Sequence, residues 1–563
     1  MPTQKAPIVI QGGRLIDGNG GRPVDNATVV IEGNRITRVA SGRVDFPKES
    51  RVIDASGKTI LPGLIDNHVH YRDLYGELFL AHGVTTVRDL GNPLDWILAQ
   101  RDAVNLCKVA GPRIFCTGGG IYGRGWLAHH LVPANPEEAR RAVRRFIEQG
   151  VDYAKIHLGV PVEIAKSAAD EAHGAGLKLS GHLESSILPY AEAGVDGVEH
   201  ATGCAEATIR SEEAKKKFAS IKLFLAKFLA PWSFAEENYF PEVIEFLAKK
   251  GTFIEPTLVL WGASLGMREQ WEKEDYELVK DPNLSYVPEN ERLIWLEHYY
   301  LVYGPRGEKE PETDITVGTR YSIFGIHPGN ELVEGRRRFE KFLCMLVQAG
   351  GNVVAGTDAS GVVPGISLHR ELEMLVKAGL TPMQALQAAT KVGAEYLGKL
   401  HDLGTVQEGK LADLIVVEGD PLNDIRNTRR IKAVIKDGEL VDRSYHASFS
   451  NPIPRPYTQG FYGYPVPKLE SVSPSATFEG EGEKRLVLKG KDFFPTSVVR
   501  LDGRPLRTDF VNQQELAATI PAHLVRAGVL RLAVTNPRPW EIPDLGGVSN
   551  ALAFIVRFKN NAA

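Results

Sequence analysis

Two histidines one residue apart, His68 and His70, close the apolar run Leu61-Pro-Gly-Leu-Ile-Asp-Asn-His-Val-His70. Side chains of an extended strand alternate with period two, so both imidazoles project to one side, spaced to grip one metal ion. Far downstream, Asp358 closes a second apolar run, Asn352-Val-Val-Ala-Gly-Thr-Asp358. Between them stand Lys155 in Asp152-Tyr-Ala-Lys-Ile-His157, His182 in Leu177-Lys-Leu-Ser-Gly-His182, and His200 in Gly197-Val-Glu-His200. One His-x-His among fifteen histidines arises easily by chance. Ligand-type residues that recur at the ends of successive strand-like runs do not. Imidazole nitrogens suit zinc and similar divalent ions. A lysine facing a barrel interior is heavily desolvated unless a carboxylate pairs with it or its chemistry changes. Reaction of its amine with carbon dioxide would give a carbamate, an anion whose two oxygens can bridge two cations. Asp358 can bind a metal and carry a proton from water to a leaving group, or simply cap the chain that continues as Ala359-Ser360-Gly361. Together the set reads as four histidines, one modified lysine and one aspartate around two metals, with His157 on the Lys155 face as an outer support.

The elements that must position these residues follow from periodicity. Strand candidates fall at 64–70, 83–89, 113–118, 152–158, 177–183, 195–200, 252–258 and 352–358, separated by helical stretches such as 136–148 and 163–172. Eight strands alternating with helices is the count of a (β/α)8 barrel, whose functional residues gather at the strands' C-terminal ends. Residues 1–60 and 400–445 read as short strands that pair across the sequence into a small composite β-sandwich, with tight turns at Gly33-Asn34 and Asp437-Gly438. The barrel then occupies 61–399. Regularity breaks at about 204–250 and 262–335, stretches too long for plain connections and expected to form helical walls over the pocket. From 446 to 467 the composition turns proline-rich, which reads as a stiff linker or wrapping arm. Residues 468–563 read as a separate all-β, Ig-like sandwich with no site of its own and a structural or adhesive role.

Composition sets the outer bounds. A chain of 563 residues with 43% hydrophobic and 24% charged content is an ordinary globular protein of two or three domains. A net charge of −4 gives no reason to expect nucleic acid or an anionic membrane as partner, and no run is long and apolar enough for a membrane span. A small-molecule substrate is the expected partner, and self-association is left open. The four cysteines are scattered, so neither a disulfide framework nor a thiolate metal site is expected. As written, the chain reads as cytoplasmic. A periplasmic or secreted protein whose leader had been removed would read the same.

Residues from about 7 to 443 resemble the amidohydrolase superfamily, in the branch near metal-dependent prolidases and imidazolonepropionase-like hydrolases. The phrases that carry the resemblance are Leu61 to His70, Gly83-Val-Thr-Thr-Val-Arg-Asp89, Gly194 to His200, Ala355-Gly-Thr-Asp358, Gly379 to Thr390 and Gly404 to Leu414. It implies a binuclear centre, usually zinc. His68 and His70 would hold the more buried ion with Asp358, His182 and His200 the more exposed ion, and Lys155 would bridge both as its carbamate. Residues 468–556 resemble an IPT/TIG module, from Ser471-Val-Ser-Pro-Ser475 to Val534-Thr-Asn-Pro537.

The resemblance also implies the reaction: hydrolysis of an amide bond in a dipeptide or N-acyl amino acid, by a bridging hydroxide with Asp358 as proton shuttle. Opening of a cyclic amide or lactone by the same metals is the alternative. A reading of another class is a binding or assembly protein with a vestigial barrel. One departure bears on the substrate. Peptide-cleaving members of this branch tend to carry a histidine just after a Thr-Gly-Gly at the end of the third strand. This chain instead has Thr117-Gly-Gly-Gly-Ile-Tyr-Gly-Arg124, with His129 and His130 nearby. Arg72, Tyr122 and Arg124 are the candidate substrate contacts, the arginines through a bidentate grip on a carboxylate or, equally, as inter-loop salt bridges. His369 and Glu371 are expected to orient the site.

Overall fold

In the N-terminal β region, apolar side chains alternate with polar ones between turn residues, and the strands form where expected. They are β1 (Ile8–Leu15), β2 (Val24–Glu32), β3 (Arg35–Ser41), β4 (Arg51–Asp54) and β5 (Lys58–Pro62). The computed structural model describes residues 6–124, 130–219, 230–260, 265–288, 291–296, 299, 330–359, 361–455, 466–494, 497–536 and 547–558. β1 bends at Gly12, where φ is +83°: its first half pairs with β4 and its last two residues with β5. The sheet forks there. β14 (Leu414–Glu418), β15 (Ile431–Lys436) and β16 (Glu439–Leu440) complete it, β14 running antiparallel to β5 from Leu414↔Pro62 to Glu418↔Lys58. The two flanks thus share one core of Ile10, Val29, Ile31, Ile60, Leu414, Val416 and Ile435.

Between the flanks come the eight parallel strands β6 (Leu64–Val69), β7 (Val84–Asp89), β8 (Arg113–Cys116), β9 (Ala154–Ile156), β10 (Leu179–Gly181), β11 (Gly197–Glu199), β12 (Phe253–Glu255) and β13 (Asn352–Val353). Ladders join β6 to β8 and β9 to β13. Hydrogen bonds from Ile121 N to Lys155 O (2.9 Å) and His157 N to Ile121 O (2.7 Å) close one gap, and Asp358 N to His68 O (2.8 Å) closes the other. The result is the expected (β/α)8 barrel. Several strands are shorter than their periodicity predicts, because the backbone leaves the ladder just where the polar residues begin. His200, Thr257 and Asp358 all adopt positive φ (+57°, +47° and +52°), which a ladder cannot accommodate.

The helices follow their caps. Pro136–Gln149 starts at Asn135, whose side chain accepts from Glu138 N, and ends at left-handed Gly150. Within the first irregular stretch lie helices Glu212–Ala219, Pro231–Phe234 and Phe240–Lys250, and the second opens with helix Leu265–Val279. That last helix is pinned to helix Ile366–Lys377 by a buried ion pair, Arg370 Nη2 to Asp275 Oδ1, 2.6 Å. Residues 300–329, within the second irregular stretch, lie outside the described residues, as do 456–465 of the proline-rich segment. The rest of that segment packs as an arm: Ile453 O accepts from Trp96 Nε1 (3.1 Å) and from Gln100 Nε2 (2.5 Å). The C-terminal module is all-β, one sheet of four strands and one of six enclosing Leu486, Leu488, Val499, Leu516, Leu532 and Phe554. It meets the barrel where the Arg504 guanidinium lies 4.2 Å over the Tyr276 ring. No helix among the described residues is long and apolar enough to cross a membrane.

The shared core makes a direct prediction. Ile60→Ala, at a fully buried position of the composite sheet, should cost ~2–5 kcal/mol in chemical denaturation. Val52→Ala, at a position 44% exposed, should change stability by less than ~0.5 kcal/mol.

Candidate metal centre

The first barrel strand presents His68 and His70 on one face, as period two requires, and the segment after β13 brings Asp358 opposite them. His70 Nε2 lies 3.2 Å from Asp358 Oδ1, and His68 Nε2 lies 3.6 Å from the same oxygen. His200, at the end of β11, places its Nε2 3.7 Å from Asp358 Oδ2. Among the described residues, the ligand atoms of His68, His200 and Asp358 all lie within 4.8 Å of one another, and all three residues are buried. This donor set fits a divalent ion: two imidazole nitrogens and one carboxylate.

Each of these imidazoles is oriented from behind. His68 Nδ1 donates to Glu255 Oε1 at 2.8 Å. His200 Nδ1 donates to Thr257 Oγ1 at 2.6 Å, since the threonine hydroxyl gives its own proton to Pro256 O. Both contacts put the proton on Nδ1 and leave the Nε2 lone pair for a metal. Glu255 is itself held by Arg88, whose Nη2 lies 3.1 Å from Oε2, while the Arg88 guanidinium lies over the rings of Tyr396 (4.2 Å) and Tyr153 (4.9 Å). Gly356 makes room for this arrangement, because a Cβ there would stand 2.7 Å from Glu255 Oε1 and 2.8 Å from the His68 Cβ.

Burial favours the neutral form of His68, His157, His182 and His200. Burial pushes the His68, His157 and His182 pKa values well below the usual histidine range, and the neighbouring imidazoles and the Lys155 ammonium push the same way. Burial also brings His200 down to about 4, against the opposing pull of Asp358. Neutral imidazole is the ligating form. Burial raises the Glu255 pKa and the Arg88 guanidinium opposes the rise, so the carboxylate form that accepts from His68 depends on Arg88.

The remaining sequence-derived candidates fall into two groups. His182 joins the cluster, its ring 4.8 Å from that of His200, with Nδ1 3.0 Å from His157 Nε2. Lys155 is buried beside them, its Nζ donating to Leu90 O at 2.9 Å. Tyr122 stacks on His157 (centroids 4.6 Å) and on His130 (3.6 Å, rings nearly parallel). The arginines are engaged with acids at the rim: Arg72 Nη1 lies 2.6 Å from Glu291 Oε2, and Arg124 Nη2 lies 2.5 Å from Glu184 Oε1. His129 lies outside the described residues. His369 is turned away, its Nε2 donating to His82 O (2.9 Å) and its Nδ1 lying 3.0 Å from Thr428 Oγ1, whereas Glu371 accepts from Leu258 N (2.9 Å) and Val259 N (2.7 Å) and so holds the loop that carries Thr257.

Glu255, Thr257 and Arg88 escaped the sequence reading. The only signal for the first two was their place in Phe253-Ile-Glu-Pro-Thr257, at the end of the seventh strand. Asp66 was also missed. Its carboxylate takes Thr357 Oγ1 (2.6 Å) and Thr357 N (3.0 Å), tying the first strand to the last directly beneath the cluster.

Over residues 59–441 the chain matches the amidohydrolase family. It belongs to that family. The family typically binds divalent metals. A curated dihydroorotase of Anaeromyxobacter dehalogenans (strain 2CP-C) is 45% identical over 67 residues, which is 12% of this chain and only 15% of the relative's length. The imidazolonepropionase of Geobacillus kaustophilus is 23% identical over 436 residues, covering 75% of this chain and 90% of that one. Among solved structures, a Xaa-Pro dipeptidase with bound methionine in its active site superposes with a TM-score of 0.54 at 23% identity, over 78% of this chain and 100% of the other. That likeness shows the shared fold.

In this amidohydrolase the orientation of His68 depends on Glu255. Glu255→Gln keeps the volume but removes the charge that Arg88 and His68 share, and should weaken metal binding by ~10–100-fold, read by chelator competition.

Proposed function

We propose that this amidohydrolase cleaves an amide bond in a dipeptide or N-acyl amino acid, using two divalent ions, zinc in the cell. His68, His70, His182, His200 and Asp358 would hold them and Lys155, as its carbamate, would bridge them. The observation that carries the reading is the convergence of neutral, back-oriented imidazoles on one buried carboxylate at the mouth of the barrel. The match to a Xaa-Pro dipeptidase fold supports it. When bound, the ions supply the Lewis acidity that polarises a carbonyl and activates a water molecule.

The protein's own groups do the rest. Asp358 receives the proton of the attacking water and returns it to the departing nitrogen. The Lys155 ammonium would first give up one proton, and the neutral amine would then add to carbon dioxide with loss of a second, so that an anion replaces a cation in the barrel interior. Tyr122 is the best placed of the three substrate candidates: a Cβ built on Gly91 would touch both its hydroxyl (3.6 Å) and His70 Cε1 (3.5 Å). Arg72 and Arg124 would grip a substrate carboxylate by exchanging Glu291 and Glu184 for it.

The test is amine release by zinc-reconstituted protein across a panel of dipeptides and N-acyl amino acids. Cleavage of a coherent subset is expected, and Lys155→Ala should lower the rate by ~100-fold or more, the scale of one lost transition-state charge interaction. Unchanged metal content and rate in Lys155→Ala would overturn the binuclear assignment. No cleavage by protein shown to hold its metals would move the reading to cyclic amides and lactones.

A further inference from the structure

The family's share of the chain ends at residue 441, yet the arm beyond it is built into the catalytic barrel. His446 Nδ1 lies 2.7 Å from Glu77 Oε1, and Asn451 Nδ2 donates to Asp73 O (3.0 Å) and to Gln100 Oε1 (2.8 Å). Ile453 O takes the Trp96 and Gln100 side chains. Arg455 joins this docking at Asp73, which accepts from its backbone N–H and feels its charge. Its side chain also reaches the barrel interior: its Nε donates to Asn92 Oδ1 at 2.8 Å.

Asn92 is fully buried, in the turn that follows β7. Its amide nitrogen donates inward to Tyr71 O (3.0 Å) and Asp89 Oδ2 (2.5 Å), so its oxygen must face out. Asp89 in turn accepts from Tyr71 N (2.8 Å) and Gly91 N (3.3 Å). Tyr71 directly follows His70, and Leu90, inside the same turn, takes the Lys155 Nζ. One turn, 89–92, therefore braces the backbone behind one histidine of the cluster and holds the amine of the lysine.

We infer that Arg455, supplied from outside the family's domain, is a positioning residue for the metal centre. It locks the Asn92 amide, and through Asn92 and Asp89 fixes the turn that sets His70 and Lys155. The inference rests on the metal-centre reading above. The arm thereby ties the ordering of the C-terminal extension to the retention of metal, and shortening the chain before 455 removes the lock.

The experiment uses the full-length protein loaded with Co2+, following its visible absorption and its release to a chromogenic chelator. Arg455→Ala should release Co2+ ~10-fold faster than wild type, the lower end of what loss of a supporting contact costs a metal site. Arg455→Lys should recover most of the difference, and the thermal unfolding midpoint should stay where it is. Because Arg455 and Asn92 form one chain of contacts, the double variant Arg455→Ala/Asn92→Ala should be no worse than Asn92→Ala alone. Release and absorption identical to wild type in Arg455→Ala would overturn the role, as would effects of the two substitutions that multiply. Wild-type protein that takes up no Co2+ would instead overturn the metal-centre reading, and this role with it.

Discussion

Glu255 is a carboxylate with no access to solvent, held between an imidazole and a guanidinium that are equally buried. An isolated charge there would be prohibitively costly, so each group of the trio is retained only because the others are present. Arg88 neutralises Glu255, Glu255 fixes the proton of His68, and His68 turns its remaining lone pair toward Asp358. The aromatic faces of Tyr153 and Tyr396 enclose the guanidinium from the other side. The trio crosses the barrel interior from β7 through β12 to β6, so the barrel closes around a polar chain that ends at the cluster of His68, His200 and Asp358.

The strand ends extend the same constraint outward. Thr357 is clamped to Asp66, which sets the segment carrying Asp358 against the first strand. Glu371, on the helix after β13, clamps the loop carrying Thr257. Thr257, His200 and Asp358 all sit in the left-handed region. A β-branched residue there is strained, and such strain persists only where surrounding contacts over-determine it. Here those contacts are named: two backbone hydrogen bonds to Glu371, and the hydroxyl of Thr257 facing His200. The fold thus spends local conformational preference on aiming three side chains at one point.

Much of this could be read from the sequence, and the part that could not has a consistent physical cause. His68 and His70 were legible because period two is a local property, and the recurrence of His182, His200 and Asp358 at run ends follows from how a barrel gathers its residues. The pairing of β5 with β14 was legible from two matching β regions. Glu255 and Arg88 were not, since each looks like an ordinary charged residue until the barrel places it against partners far away in the chain. Strand lengths were overestimated at β9 to β13, because side-chain alternation continues past the point where the backbone turns out of the ladder. The proline-rich segment read as a linker or wrapping arm. Its composition announces stiffness, but the contact of Arg455 with Asn92 exists only in the folded barrel.

The central claim is that this buried cluster is a metal centre. The most direct measurement is the metal content of the full-length protein by mass spectrometry after zinc reconstitution and exhaustive dialysis, beside His68→Ala and His200→Ala variants shown to be folded. The account predicts two equivalents of zinc per chain in the wild type and loss of tight binding in both variants. A wild-type protein that retains no metal, or variants that retain as much as the wild type, would contradict it.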